Sequence, residues 1–380
     1  MAHSNTTFSQ LLSFIPRQKF QAFVDKRQGD KRCRTLFCWD QFVAMLYSQV
    51  HGCRSLRDLT EQLDVQKSRL YHLGISPIKR SSLADANESR SIGIYYDLFF
   101  DLLKKVTDTA LKNSLLEGIQ LIDSTTISLN KQQFEWAKFR TGKSGIKIHT
   151  VFDPDADAPT FFQITHAKVS DSKPVAKWGF QQGFTYVFDR AYNSGEILEN
   201  IIDADAIFVG RMKKCMKYNE IKSLPVLHKN VISDELIEVK YKTSERLKGK
   251  TLRRITYLRS EDQKELVFIT NDLERSAEDV ADLYKRRWQI ELFFKWIKQN
   301  LKIKTFLGQS ENAVMIQIIV AMISYLLLRL IQQNVAPKMS LQTISRRIKS
   351  ALMQRRKLME VLCGKEPIPP NIRQMDLGLI

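Results

Sequence analysis

The sequence predicts an α/β fold: a mixed sheet with helices packed on it, preceded by a helical N-terminal domain and interrupted by a β-rich insertion. Three observations carry this. Apolar residues recur at helical spacing up to about residue 115. From about Glu117, short apolar runs separated by turns follow a β-β-β-α-β-α-β order. From about Lys213 to Asn271 that rhythm gives way to strands alone.

In chain order, Phe8, Leu11, Leu12 and Ile15 mark one helical face, and Phe42, Leu46 and Val50 another. Ser55 to Leu73 reads as two short helices with a turn near Asp64. A helix-turn-helix and two ordinary packed helices both fit it. Polar residues Lys79 to Arg90 read as a loop. Strands are expected at Ile119–Asp123, Ile146–Phe152, Thr160–Thr165, Thr185–Asp189 and Ala206–Gly210. Ser172 to Gln181 reads as a helix, and Ser194 caps another through Ile202. Glu235–Tyr241, Leu252–Leu258 and Glu265–Thr270 are strand-like. One long helix is expected from Ser276 to about Asn300, then an apolar one over Ala313–Ile331. The latter carries Gln317, Ser324 and Arg329, so it reads as a core helix rather than a membrane span. The domains so drawn are 1–115, a core of 116–212 and 272–335, the insertion 213–271, and a basic helical tail, 336–380.

The 380 residues are 43% hydrophobic, which excludes a disordered or fibrous chain. Lys and Arg number 59 against 41 Asp and Glu, a formal charge of +18, which points to a polyanionic partner. The five cysteines include no C-x-x-C and no zinc-finger spacing, which fits a reducing, cytoplasmic setting. The opening MAHSNTTFSQ lacks the pattern of a secretory signal.

Asp123 and Asp189 each end an apolar strand. Strand ends of an α/β sheet open into the functional crevice, although a turn or cap Asp would look the same. The segment Tyr284 to Lys304 holds seven Lys/Arg and one acid, Glu291. On a helix, Tyr284, Arg287, Glu291 and Lys298 fall within about 60° of arc, with Trp288 and Lys295 at the margin. Ile290, Phe293, Trp296 and Ile297 face the other way, toward the sheet. Three carboxylates from two strand ends and a helix can hold two divalent cations, and hard oxygen ligands select Mg²⁺ or Mn²⁺. Such a pair serves phosphoryl transfer, and the surrounding Lys and Arg would hold a nucleic acid's phosphates.

Asp123, Asp189 and Glu291 in that order, with Tyr284-x2-Arg287-x3-Glu291-x6-Lys298, resemble the signature of the IS4-type DDE transposases. Asp123-Ser-Thr and Asp189-Arg-Ala-Tyr192 resemble the motifs around the family's two aspartates. The resemblance covers about residues 117–332. It implies an RNase H-like catalytic core with the family's insertion domain between Asp189 and Glu291. It implies that the three acids are the ligands of two metal ions, and that Tyr284, Arg287 and Lys298, with Arg190 and Tyr192, contact DNA. For Trp288, stacking on an extruded base and packing under the helix both stand. The implied partners are the double-stranded terminal inverted repeats, target DNA, and a second copy of the chain in a synaptic homodimer; no membrane is implied.

Arg140, Lys143 and Lys147 form a basic patch, either DNA-facing or a solvated loop. Gly142-Lys-Ser144 has the ending of a phosphate-binding loop but lacks the upstream glycine and precedes a strand. His149 reads as site-lining or structural. The tail interleaves Arg346, Arg347, Lys349, Arg355, Arg356 and Lys357 with Leu341, Ile344, Ile348, Leu352, Leu358 and Leu362. Such a segment can pack on the core, pair with a partner, or lie on DNA.

Overall fold

The structure, a computed structural model, describes residues 5–111, 118–140, 143–240 and 247–365. Gly142, Tyr241 and residues 366–380 of the expected tail lie outside them. The chain begins with α1 (Thr7–Leu12), α2 (Arg17–Lys26), α3 (Cys38–His51), α4 (Leu56–Val65), a 3-10 helix (Lys67–Leu73), α5 (Arg80–Ser89) and α6 (Gly93–Leu111). There follow β1 (Ile119–Leu129), β2 (Lys138–Arg140), β3 (Lys143–Asp153), β4 (Ala158–His166), α7 (Ser172–Val175), β5 (Thr185–Phe188), α8 (Gly195–Asp203) and β6 (Ile207–Arg211). Then come β7 (Lys217–Ser223), β8 (Val231–Lys240), β9 (Thr251–Leu258) and β10 (Glu265–Thr270). The last helices are α9 (Ala277–Arg286), α10 (Trp288–Asn300), α11 (Glu311–Asn334), α12 (Leu341–Ala351) and α13 (Leu358–Cys363).

One compact unit joins the chain up to Leu102 with Asn300–Gly308 and the chain from Asn312 onward. Phe8, Leu11, Leu12 and Ile15 are all buried, as are Phe42 and Leu46. The two ends of the chain meet here. The amides of Thr7 and Phe8 donate to the carbonyls of Gln354 and Leu352 at 2.9 and 2.8 Å. Ile344, Ile348, Leu352, Leu358 and Leu362 are buried, so the apolar face of the tail packs on this unit's core. α11 is long and apolar enough to cross a membrane, yet 89% of its apolar window is buried inside the protein. Asn312 Nδ2 ties its start to the carbonyls of Asn87 and Arg90, both at 2.9 Å. A helix apolar all round needs neighbours on every side. That is why α11 groups with the helices rather than with the sheet up to residue 335.

Two local expectations change here. Residues 80–89 form α5 rather than a loop, because Leu83, Ala86 and Asn87 make a buried helical face. The polar Asn87 disguised that face; its Oδ1 accepts from Gln41 Nε2 at 2.7 Å. After α4, a 3-10 helix takes the place that the second α-helix of a helix-turn-helix would hold.

The other unit spans Leu103–Gln299 with Gln309–Glu311. Its described strands form one ten-stranded sheet in the order β2-β3-β1-β5-β6-β10-β9-β8-β7, with β4 paired to β3. The run β4-β3-β1-β5-β6 is RNase H-like: antiparallel from β4 to β1, parallel from β1 to β6. α9 lies against β5, β6 and β8, and Phe293 of α10 packs on Phe152 of β3 with ring centroids 5.1 Å apart. The β-rich stretch does not stand apart, because β10 pairs antiparallel with β6 and continues the same sheet. Within it a buried ion pair joins β9 to β8: Arg253 Nε and Nη2 donate to the two oxygens of Asp234 at 2.8 and 2.6 Å. β7 escapes pattern reading, since its edge position leaves it mostly exposed and charged. α7 is four residues long and ends well before Gln181.

Because α11, α12 and α13 complete the helical core, a fragment of residues 1–115 should not fold cooperatively. Thermal melting followed by circular dichroism checks this; a sharp transition in the fragment would contradict it.

Candidate active site

Asp123 is not at the end of its strand. β1 runs on to Leu129, paired only with β3. β5 stops at Phe188, whose partner is Ile122. Asp123 and Asp189 therefore follow the last parallel pair on neighbouring strands. They sit together where the sheet opens at its carboxyl edge.

The expected long helix is broken once. α9 ends at Arg286 and α10 begins at Trp288, with Arg287 in the join. The Arg287 amide donates to Tyr284 O (3.1 Å) and the Ile290 amide to Arg287 O (3.2 Å), the tighter 3-10 pattern. From this join Arg287 faces the acids. Its Nη1 lies 3.3 Å from Asp123 Oδ2 and its Nη2 2.5 Å from Glu291 Oε1. Tyr284, with its ring 5.5 Å from the guanidinium carbon, donates its hydroxyl to Asp189 Oδ1 at 3.2 Å. Tyr and Arg of the signature thus hold all three acids. Burial pushes the Tyr284 hydroxyl pKa up to about 12, so it stays a donor.

Asp123 is held away from ordinary carboxylate behaviour. Burial pushes its pKa up to about 6; the Ser124 amide and Arg287 oppose this, and the charges of Glu291 and Asp189 add to it. Its Oδ1 accepts the Ser124 amide at 2.8 Å, which leaves Oδ2 to face Arg287. Among the described residues, no three acidic, His or Cys side chains converge tightly enough to ligate one ion as they stand. The guanidinium bridges the space between Asp123 and Glu291 instead. The donor set is all hard oxygen, crowded and partly desolvated, which fits a divalent cation in the place that Arg287 now neutralises.

Residues 115–327 match the Transposase DDE domain family. The chain belongs to that family. The transposase also matches a domain of unknown function, DUF4372, over residues 3–76. It is 39% identical over 261 residues to y4zB of Sinorhizobium fredii, a protein named as a transposase, covering 67% of this chain and 72% of that one. It is 31% identical over 211 residues to a protein named as the transposase of insertion sequence element IS5377 of Geobacillus stearothermophilus, covering 56% of each. A protein of Synechocystis named as the transposase of element IS4SA is 25% identical over 259 residues, 66% of this chain and 71% of that one. Among solved structures, a piggyBac transposase synaptic complex with hairpin DNA aligns at TM-score 0.42 and 12% identity, covering 97% of this chain and 82% of that one. The chain is thus an insertion-sequence transposase, a metal-dependent enzyme acting on DNA.

The transposase distributes the other predicted residues unevenly. Trp288 is 58% exposed, which removes the reading in which it packs under the helix. Lys298 is partly exposed on α10, and Lys143 is exposed at the start of β3. Arg190 is partly exposed beside Asp189. Tyr192 is not available to DNA, since it is buried in the core among Val175, Phe188 and Ile197. Nor does Lys147 belong to an open basic patch: its Nζ is 2.9 Å from Asp171 Oδ1 and donates to Val169 O at 2.9 Å. Asp171 also accepts the Ser124 hydroxyl at 2.6 Å, so it braces the residue next to Asp123. No motif or periodicity marks Asp171, which lies in a turn just before α7. His149 is fully buried, bonded through Nε2 to Thr165 Oγ1 at 2.9 Å, and burial lowers its pKa to about 4. It is a structural histidine.

A carboxyl with a folded pKa near 6 and an ordinary unfolded value favours the folded state below about pH 4. That contribution is lost as pH rises through 6. With divalent metal chelated, wild-type protein should lose on the order of 2–3 kcal/mol more than Asp123→Asn between those pH values. Urea midpoints across pH measure it; parallel curves for the two proteins would contradict the stress assigned to Asp123.

Proposed function

We propose that the chain is a cut-and-paste transposase. It would bind the terminal inverted repeats of its own element as a homodimer, cleave them, and join the freed ends to target DNA. The observation that carries the reading is the convergence of Asp123, Asp189 and Glu291 on Tyr284 and Arg287, all in signature order.

Two Mg²⁺ or Mn²⁺ ions held by Asp123, Asp189 and Glu291 would supply activation of the attacking oxygen and charge neutralisation at the leaving one. The chain's own groups do the positioning. Ser124 N–H and Tyr284 O–H fix one oxygen of each aspartate, and the other oxygen of Asp123 faces Arg287. Arg287 holds Asp123 and Glu291 together before substrate arrives, and its fork matches a phosphate as well as a carboxylate. Lys298, Lys143 and Arg190 would grip backbone phosphates. The exposed face of Trp288 offers a platform for an extruded base. In cleavage, water's oxygen forms a bond to phosphorus as the bond to the 3′-oxygen breaks, and that oxygen leaves protonated. The 3′-OH then repeats the displacement on target DNA. Family resemblance adds a hairpin on the element end between these steps.

Asp123→Asn, Asp189→Asn and Glu291→Gln should each abolish cleavage of end DNA in Mg²⁺ and leave duplex binding largely intact, since metal stabilisation is worth several kcal/mol. Near wild-type cleavage by any one would remove that residue from the site. Cleavage by the wild type without joining would mark a plain nuclease, and no cleavage at all a DNA-binding derivative.

Bringing two ends together requires at least one protomer per end, and a two-fold dimer is the simplest closed arrangement. Light scattering with end DNA should give two protomers and two duplexes. A one-to-one complex that completes strand transfer would overturn the dimer.

A further inference from the structure

The helical unit contains a second concentration of positive charge, built from three distant segments. α3 ends at Gly52, in the left-handed conformation at φ 90°. A methyl group placed there would lie 3.1 Å from Lys349 Nζ on α12, and 3.1 and 3.9 Å from Cε and Nζ of Lys302. The two ammonium groups are thus held within about 7 Å of each other, where like charges repel. Among the described residues, neither has an ion-pair partner. Asp58, whose charge also reaches His51, accepts the Arg54 amide at 2.7 Å.

This arrangement is not left to flexible side chains alone. The Lys302 amide donates to Gln49 Oε1 at 2.9 Å, and its carbonyl accepts Gln317 Nε2 at 2.5 Å. Gln317 also donates to Thr305 O at 2.8 Å and accepts the Leu307 amide at 2.9 Å. Both glutamines are almost fully buried, at 2% and 1% exposure. Burying two amides in an apolar core costs free energy unless they are well bonded, and here their bonds fix the segment that carries Lys302. The positive field is felt by its neighbour: burial and then the Lys349 charge lower the His51 pKa. Lysines at the C-terminus of α3 also suit the helix dipole, and that reading competes.

We infer that Gly52, Lys302 and Lys349 form a phosphate-binding notch on the helical unit that grips the backbone of duplex DNA. The absent Cβ at Gly52 lets a phosphate oxygen come down between the two ammonium groups. The inference rests on the transposase reading for its choice of polyanion.

The test uses full-length protein and a random-sequence duplex, with binding measured across salt concentration. Lys302→Ala and Lys349→Ala should each lower the slope of log affinity against log salt by about 0.9, and the double variant by about 1.8. Lys302→Arg with Lys349→Arg should keep the wild-type slope. Unchanged slopes in both alanine variants, with lowered melting temperatures, would mean that the lysines only cap α3 and would overturn the notch alone. Wild-type protein that fails to bind duplex would overturn the transposase reading and the notch with it.

Discussion

Three carboxylates cannot share a half-buried crevice without a positive charge among them. In this chain the charge is the Arg287 guanidinium, placed between Asp123 and Glu291. Asp123 is still displaced far from ordinary carboxylate behaviour, because the loss of water, with the neighbouring acids, outweighs what one amide and one arginine return. The crevice is therefore under electrostatic load, and a divalent ion would relieve it by adding charge that the side chains lack. Arg287 has room for a second role once it is displaced, since its delocalised fork pairs with phosphate as readily as with carboxylate.

The backbone places that load through one length mismatch and one helical face. β5 is shorter than β1, so the parallel pairing ends one residue before Asp123 and Asp189. On the helical segment that faces them, Arg287 pairs with Glu291 one turn on and with Asp123 across the crevice. At these separations Coulomb energy depends steeply on small shifts of a charged group.

Much of this was legible in the sequence. The apolar runs ending at Asp123 and Asp189 identified the strands, and the lone acid of the basic segment identified Glu291. The continuation of β1 was not legible, because residues beyond Asp123 alternate weakly and pair on one side only. The break at Arg287 left no glycine or proline to mark it. Periodicity gave Tyr284 and Arg287 a helix face but could not say what that face met; they meet the acids. The family resemblance offers Tyr192 to DNA and residue type offers Lys147, whereas burial gives the one to the core and Asp171 gives the other an internal partner. α11 was read correctly as buried but assigned to the wrong neighbours, since apolarity names no partner.

The bonding of Thr7 and Phe8 to Gln354 and Leu352 has a consequence for synthesis. A ribosome releases the chain from its first residue onward, and domains ordinarily close as they emerge. Here the sheet-bearing unit can close first, because all its strands precede residue 271. The helical unit must wait with its apolar faces open until α12 has left the exit tunnel. A polypeptide truncated after Gln299 but before α12 would carry Asp123, Asp189 and Glu291 with the helical unit unfinished, a target for proteolysis. Closure of that unit thus waits on the helices made last.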